Sequence, residues 1–590
     1  MLRDFHVNMR PARYPLVLPM TLAAALLGGL SPVPARAETR IEVTGGDGVL
    51  KDNLRLHLRL AEASCETRPG HLRRLYAAVE EDIRPALHAL GYYEAEIRKE
   101  LDTGGDCWLA TVTVDPGPPV RVRTVTVDLD GDARDDPAFE DLLADLPLKE
   151  GDQLHHGRYE AIKAGLRSLA LERGYFDARL TRSTLRIHKA EQAADILIDF
   201  AAGTRYRFGE LRLGEQPLEE GFVRRLGAYD PDAPYEVSAL VSLDRNLSNS
   251  GYFKGVEVRP LRDQATGERI PVEVNFTRES RHAWRAGVGF ATDSGPRVSA
   301  GYENRYINRR GHRFSTDVRL SPVISTLSAE YRIPGKDPHK QNYRFTGAFE
   351  HDNTDSFTSD SVNLGFFDSR RVGPWNHSRF IKVLSERSDI GNEDVSSNFV
   401  LPGIGWNRTE ADDPLRTRRG YRLGLELQGT HEALLSSTSL FQVKANAKGI
   451  YRFADWGRVT GRVDLGTTLT PKFADLPASL RFFAGGDNSV RGYAFQSLGP
   501  RDSDGEVVGG KHLITASIEY EHPLWNEDWW GAAFVDAGNA FDTDDIRVKQ
   551  GYGGGLRWYS PVGRIRLDIA FPDDTSEDEW RIHFGLGVDL

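Results

Sequence analysis

Phe441-Gln442-Val443-Lys444-Ala445-Asn446-Ala447-Lys448-Gly449-Ile450-Tyr451-Arg452-Phe453 decides the fold of the C-terminal half. Phe441, Val443, Ala445, Ala447, Gly449, Tyr451 and Phe453 form one face; Gln442, Lys444, Asn446, Lys448 and Arg452 lie on the other. Successive side chains of a strand point to opposite sides, so a period of two predicts a β-strand with one apolar face. The texture recurs in Tyr343–Glu350, where Tyr343, Phe345, Gly347 and Phe349 alternate with Arg344, Thr346, Ala348 and Glu350. It recurs again in Arg564–Phe571, where Ile565, Leu567, Ile569 and Phe571 alternate with Arg564, Arg566 and Asp568. Apolar-out, polar-in alternation over roughly ten residues is the pattern of a transmembrane β-barrel. About sixteen such segments are expected between Trp284 and Leu590, an even number as in bacterial barrels. Closure leaves no backbone group unpaired in lipid. The barrel is assigned to 281–590, and a soluble β-sandwich would need far fewer aromatic-rich strands in a row.

Charge orients the strands. Loops expected on the outside are acidic: Asp352–Asp360, Asp389–Asp394, Asp542–Asp545 and Asp573–Glu579. Several turns expected at the inner end are basic: Arg309-Arg310, Arg370-Arg371 and Arg416–Arg419. The chain has 58 Gly, 3 Met and 2 Cys in 590 residues, and a net charge of −11 that argues against an electrostatic nucleic-acid binder. Its mean hydropathy of −0.45 is low for a membrane protein. A barrel is compatible with that value, because only alternate residues face lipid.

Working back to the N-terminus, residues 1–37 read as a secretory signal peptide. Arg3, Arg10 and Arg13 precede an apolar stretch from Leu16 to Leu30, and Ala35-Arg36-Ala37 is a small-x-small cleavage site. The apolar core, broken by Pro19 and Gly28-Gly29, is short for a membrane-spanning helix. Cys65 and Cys107 then read either as one disulfide or as two buried thiols, and an oxidising compartment favours the disulfide.

Between the signal and the barrel a tripeptide recurs: Gly91-Tyr92-Tyr93, Gly174-Tyr175-Phe176 and Gly251-Tyr252-Phe253. Each follows an amphipathic helix pattern, carried by Leu72, Leu75, Val79 and Ile83, by Tyr159, Ile162, Leu166 and Leu169, and by Leu240, Leu243 and Leu247. The glycine predicts a left-handed helix end, with the aromatic pair packed under the next strand. Two strand-like runs follow each tripeptide, and a strand with a short helix precedes each main helix. The predicted order is β-α-α-β-β, three times, at 38–119, 120–205 and 206–280.

These repeats resemble POTRA domains, the periplasmic modules of the barrel-assembly superfamily. The longest strand-free stretch expected in the barrel, Leu480–Lys511, contains Val490-Arg491-Gly492-Tyr493. That tetrapeptide resembles the loop motif of the BamA/TamA superfamily, whose loop folds back into the barrel lumen. The resemblance implies that Arg491 meets acidic wall residues, here Glu519 and Asp536. The parity of Ser517-Ile518-Glu519-Tyr520 agrees, since Ile518 and Tyr520 outward puts Glu519 inward. The closing strand Trp580–Leu590 alternates Ile582, Phe584, Leu586, Val588 and Leu590 with Arg581, His583, Gly585, Gly587 and Asp589, and its end is similar to the close of TamA proteins.

The resemblance implies an outer-membrane assembly factor that inserts or translocates proteins such as autotransporters. Its N-terminal domains would stand in the periplasm, and its partners would be a TamB-like inner-membrane-anchored protein, unfolded outer-membrane clients and outer-membrane lipids. The repeat number fits the TamA branch. Rival readings are a two-partner-type secretion pore for one dedicated substrate and a conduit component for phospholipid transport; a passive porin leaves the N-terminal arm unexplained. No catalytic, cofactor or metal constellation is expected and the chain does not read as an enzyme: Gly551-Tyr552-Gly553-Gly554-Gly555 lies in a barrel strand and not at a strand-to-helix turn. A lateral gate is expected between the first and last strands, which carry Gly287, Gly289, Gly585 and Gly587.

Overall fold

The computed structural model describes residues 40–413, 416–453, 456–542, 546–560, 563–574 and 580–587. The expected signal segment 1–37, much of Asp573–Glu579 and the end of the closing strand, Val588–Leu590, lie outside these residues. The chain forms two compact units: one holds residues through Leu169 together with Ala178–Gly203, and the other holds Ala170–Asp177 and Thr204–Leu590.

Three small α+β sheets precede the barrel. In each, the last strand is central, parallel to the first and antiparallel to the second. In the first repeat, helix Pro69–Ala89 lays Leu72, Val79 and Ile83 onto Ala110, Val112 and Val114 of strand Leu109–Asp115. In the third, helix Val237–Ser248 buries Leu240, Leu243 and Leu247 against Ile270, Val272 and Val274 of strand Arg269–Arg278. The repeated glycine ends these helices in the left-handed region, at φ +88° for Gly91, +85° for Gly174 and +73° for Gly251. The next amide closes the turn: Tyr92 N–H donates to Leu87 O and Tyr175 N–H to Ala170 O.

Cys65 and Cys107 are joined in the first repeat, 42 residues apart. The bond ties the segment before helix Pro69–Ala89 to the residue preceding buried Trp108. Replacing both cysteines with serine is expected to cost ~4 kcal/mol through the freed chain entropy of a loop this long. Limited proteolysis of the full chain should then cut within 40–115 at lower denaturant concentration. Unchanged resistance would mean that the bond contributes nothing to stability.

The third repeat is fixed to the barrel. Tyr252 Oη donates 2.6 Å to the carbonyl of Gly311 in the turn after the second barrel strand, and the Arg313 guanidinium covers the same ring at 4.0 Å. Gly311 is at φ +75° and has no room for a Cβ, which would fall 2.5 Å from the Phe222 ring.

Sixteen antiparallel strands follow, in sequence order around the wall. Side-chain parity is as the alternation demands. Trp284, Val288, Phe349, Leu364, Ile381, Leu465, Ile518 and Ile569 are exposed on the outer face. An apolar surface of this extent faces lipid, and no helix among the described residues is long and apolar enough to cross a membrane. Asp352–Asp360 and Asp389–Asp394, expected as loops, are largely strand, since strands run Gln341–Asn353, Phe357–Val372, Trp375–Ile390 and Glu393–Ala411. These strands continue past the apolar band. There the outward face becomes polar, with Asp360, Ser385, Arg387 and Ser396 exposed, so the apolar-out alternation stops while the hydrogen-bond ladder goes on.

Candidate functional site: a lumenal charge cluster and the barrel seam

The eleventh strand ends at Leu469 and the twelfth begins at His512. The segment between them is a longer strand-free stretch than Leu480–Lys511, and it turns back into the lumen. It is stiffened by its own bridges: Phe482 pairs with Gly510 and Ala484 with Leu498, each through two backbone hydrogen bonds of 2.8–2.9 Å. Its start is held on one wall. There Ser479 N–H donates to buried Glu386, and Arg481 Nη2 donates 2.7 Å to Glu393. Its tip is held elsewhere on the wall by Val490–Tyr493, with Val490 and Tyr493 fully buried.

Arg491 is the centre of the tip. It is 3% exposed. Its Nε and Nη2 fork onto both oxygens of Asp536 at 2.7 and 2.9 Å, and its backbone N–H donates to the same carboxylate at 3.1 Å. Nη1 is shared between Glu519 at 2.8 Å and Asp568 at 3.0 Å. Below it lies the ring of Phe534, 3.4 Å from the guanidinium carbon. The structure thus brings the sequence-derived trio of Arg491, Glu519 and Asp536 together and adds Asp568.

Further charges continue the cluster. Arg557 Nη2 donates 2.7 Å to Glu519, and Nη1 bonds Asp568. Arg564 donates 2.7 Å to Glu521, which also accepts from Tyr559 Oη at 2.9 Å and lies 3.8 Å from Arg458. Four guanidiniums (Arg458, Arg491, Arg557, Arg564) therefore face four carboxylates (Glu519, Glu521, Asp536, Asp568). Buried ions are tolerated only when paired and hydrogen-bonded, and here the charges balance.

The glycine run of the fourteenth strand, Lys549–Ser560, makes room for the tip. Gly551, Gly553 and Gly555 face inward, between outward Tyr552, Leu556 and Trp558. A Cβ on Gly551 would sit 1.8 Å from the Arg491 carbonyl, and one on Gly555 would sit 2.0 Å from Asp568 Oδ1. The run is a cradle for the loop.

Among the described residues, few hydrogen bonds join the first strand, His282–Ala291, to the last, Arg581–Gly587. The first strand pairs with the second along all ten residues. Across the seam, the described hydrogen bonds all involve Thr292, just beyond the first strand, and Phe584. Thr292 N–H donates to Phe584 O at 3.3 Å, Thr292 Oγ1 donates to the same carbonyl at 3.4 Å, and Phe584 N–H donates to Thr292 Oγ1 at 2.6 Å. The Phe290 and Phe584 rings touch outside, with centroids 5.9 Å apart.

The loop tip bridges this seam from inside. Asp487 N–H donates 2.7 Å to Asp293 in the turn after the first strand, and the Asp487 carboxylate accepts 2.6 Å from His583 Nδ1 in the last. His583 Nε2 accepts from Gly492 N–H at 2.9 Å, so the ring carries its proton on Nδ1. Asp293, Asp487 and His583 offer ligand atoms within 4.8 Å of one another. With both imidazole nitrogens so engaged, the trio is a hydrogen-bonded clasp. Of the four seam glycines, Gly289 and Gly585 face the lumen beside Arg297 and Arg566. Gly287 faces Ser299, and Gly587 pairs with Arg564 in the neighbouring strand.

Residues 262–589 match the family model of the Omp85 superfamily domain. The chain belongs to the Omp85 superfamily. Residues 40–116 match the model of POTRA domain 1 of TamA. Outer membrane protein assembly factor BamA of Neisseria meningitidis is 23% identical over 576 residues, covering 84% of this chain and 71% of that protein. Outer envelope protein 80 of Arabidopsis thaliana, a chloroplast protein, is 25% identical over 57% of this chain and 50% of its own length. The chain thus spans about half of that relative. The crystal structure of BamA from Haemophilus ducreyi lacking POTRA domains 1–3 superposes with a TM-score of 0.66 at 18% identity, over 79% of this chain and 99% of that one. At that identity the likeness establishes a shared fold of POTRA modules and barrel.

Proposed function

We propose that this Omp85 protein is an outer-membrane assembly factor that inserts or translocates protein clients through its lateral seam. The observation that carries this reading is the seam itself. It is a break in a sixteen-stranded wall, hydrogen-bonded only around Thr292 and Phe584 among the described residues and latched from inside by Asp487. Opening exposes strand backbone, and each unpaired group in lipid costs several kcal/mol. A client strand supplies the missing partners by pairing with the exposed edge, so client binding offsets opening. In this reading the N-terminal repeats lie in the periplasm, and the outer strands of their three-stranded sheets are where an unfolded chain would pair.

Within the superfamily we place the protein in the TamA branch, with autotransporter-like clients and a TamB-like inner-membrane partner. The support is the count of three repeats and the match of 40–116 to a TamA domain. Depletion followed by quantitation of outer-membrane proteins tests the reading. Loss of a set of barrel proteins is expected. Loss of one secreted protein alone would instead identify a dedicated secretion pore, and an altered lipid distribution with intact barrels would identify a lipid conduit.

A further inference from the structure

Two arginines flank the seam and neither belongs to the balanced charge cluster. Arg297, on the second strand, lies against Gly289 of the first, where an added Cβ would come within 2.8 Å of its Nε. Arg566, on the fifteenth strand, lies against Gly585 of the last, where an added Cβ would come within 2.6 Å of its Nε. Each seam strand thus offers a glycine whose missing side chain leaves room for a neighbouring arginine. Arg566 uses Nη2 to hold the loop, donating 3.0 Å to both the Asp487 carbonyl and Asn488 Oδ1. Among the described residues no carboxylate pairs with Arg297, and no hydrogen bond holds it.

Both arginines line one cavity of about 270 Å³. Lys448 and Arg564 complete its basic wall, with Asp487 as its one acid. Gly585 and its neighbour Leu586, on the last strand, are also part of its lining. Ala291, the last residue of the first strand, is also part of the lining.

We propose that this cavity binds a phosphate group at the seam, held between Arg297 and Arg566. A single guanidinium fork satisfies a carboxylate's two oxygens, whereas two forks approaching from opposite sides suit the several oxygens of a tetrahedral phosphate. The site goes beyond the assembly reading and requires only that the barrel sit in a bilayer. A bound phosphate would supply Arg297 with the anionic partner it lacks among the described residues.

The test uses the full chain in a phosphate-free maltoside detergent, titrated calorimetrically with dihexanoylphosphatidylglycerol, inorganic phosphate and uncharged dihexanoylglycerol. Binding of the phosphate-bearing probes is expected. Arg297→Gln should weaken it roughly ten- to a hundred-fold, the loss expected for charge-assisted hydrogen bonds. Gly289→Ala should weaken it independently, by lifting Arg297 off its cradle. Both variants should keep the wild-type heat-modifiable mobility, which reports an intact barrel. Tighter binding of the lipid than of inorganic phosphate identifies a headgroup as the source; equal binding identifies free phosphate. Equal binding of dihexanoylglycerol would overturn the proposal. So would unchanged affinity in both variants, or Arg297-dependent binding of a carboxylate-ended peptide with none of the phosphate probes.

Discussion

Arg491→Ala is expected to lower the temperature at which the folded barrel loses its heat-modifiable mobility, by on the order of 10 °C. The substitution leaves four carboxylates facing three guanidiniums in a cluster whose members Asp536, Asp568 and Glu521 are fully buried. Removing one partner of a buried pair typically costs about 3–5 kcal/mol, because the remaining charge keeps its desolvation penalty. The loop tip also loses its fork onto Asp536 and its stacking on Phe534. Arg491→Lys keeps the charge but cannot fork onto Asp536 while reaching Glu519 and Asp568, so it should fall between wild type and Ala. Asp536→Asn and Arg491→Ala should be strongly non-additive, since the double variant restores the balance of charge. Additive losses in that cycle, or a Lys variant as stable as wild type, would contradict a cluster organised by the Arg491 fork.

Much of this site was legible in the sequence, and the limit was register. The parity of Ile518 and Tyr520 is enough to turn Glu519 inward, and the same alternation puts Asp568 on the polar face of its strand. What parity cannot give is which polar residues share a level across neighbouring strands. Asp568 reaches Arg491 because it pairs with Gly555, whose missing side chain opens the space between them. That glycine run read as a strand without a phosphate-binding role, which says nothing of what fills the gap. Arg557 lay hidden farther along the same strand. The clasp was the hardest part to foresee, since Asp293, Asp487 and His583 are brought together only when the wall curves round and the long loop turns inward. The seam glycines were legible as weak points of strand packing, but two of them also make room for Arg297 and Arg566, a role visible only once neighbouring strands are in register.

Locking the seam is expected to abolish client insertion. Phe290 and Phe584 face each other across it on the outer surface, so Phe290→Cys with Phe584→Cys should cross-link spontaneously in an oxidising compartment, beside the native Cys65–Cys107 bond. The cross-link should register as a mobility shift in non-reducing gels that neither single variant shows. Opening the native seam breaks the hydrogen bonds around Thr292 and releases Asp487 from Asp293 or from His583. Separating any other strand pair breaks a regular ladder, ten residues long between the first two strands, so motion concentrates at the seam. The clasp makes that motion report to the loop. Asp487 sits four residues before Arg491 on a segment braced by its own bridges, so the tip shifts with the clasp while the Asp536 fork holds the other side. Asp487→Ala should therefore loosen the seam without touching the Arg491 pairs, and raise the rate at which the engineered cysteines react with an added thiol reagent. Insertion of a purified client barrel into vesicles carrying the double-cysteine protein should be lost when oxidised and return on reduction. Full insertion with the seam quantitatively cross-linked would rule out lateral opening, and would move the path of the client into the lumen that the loop now crosses.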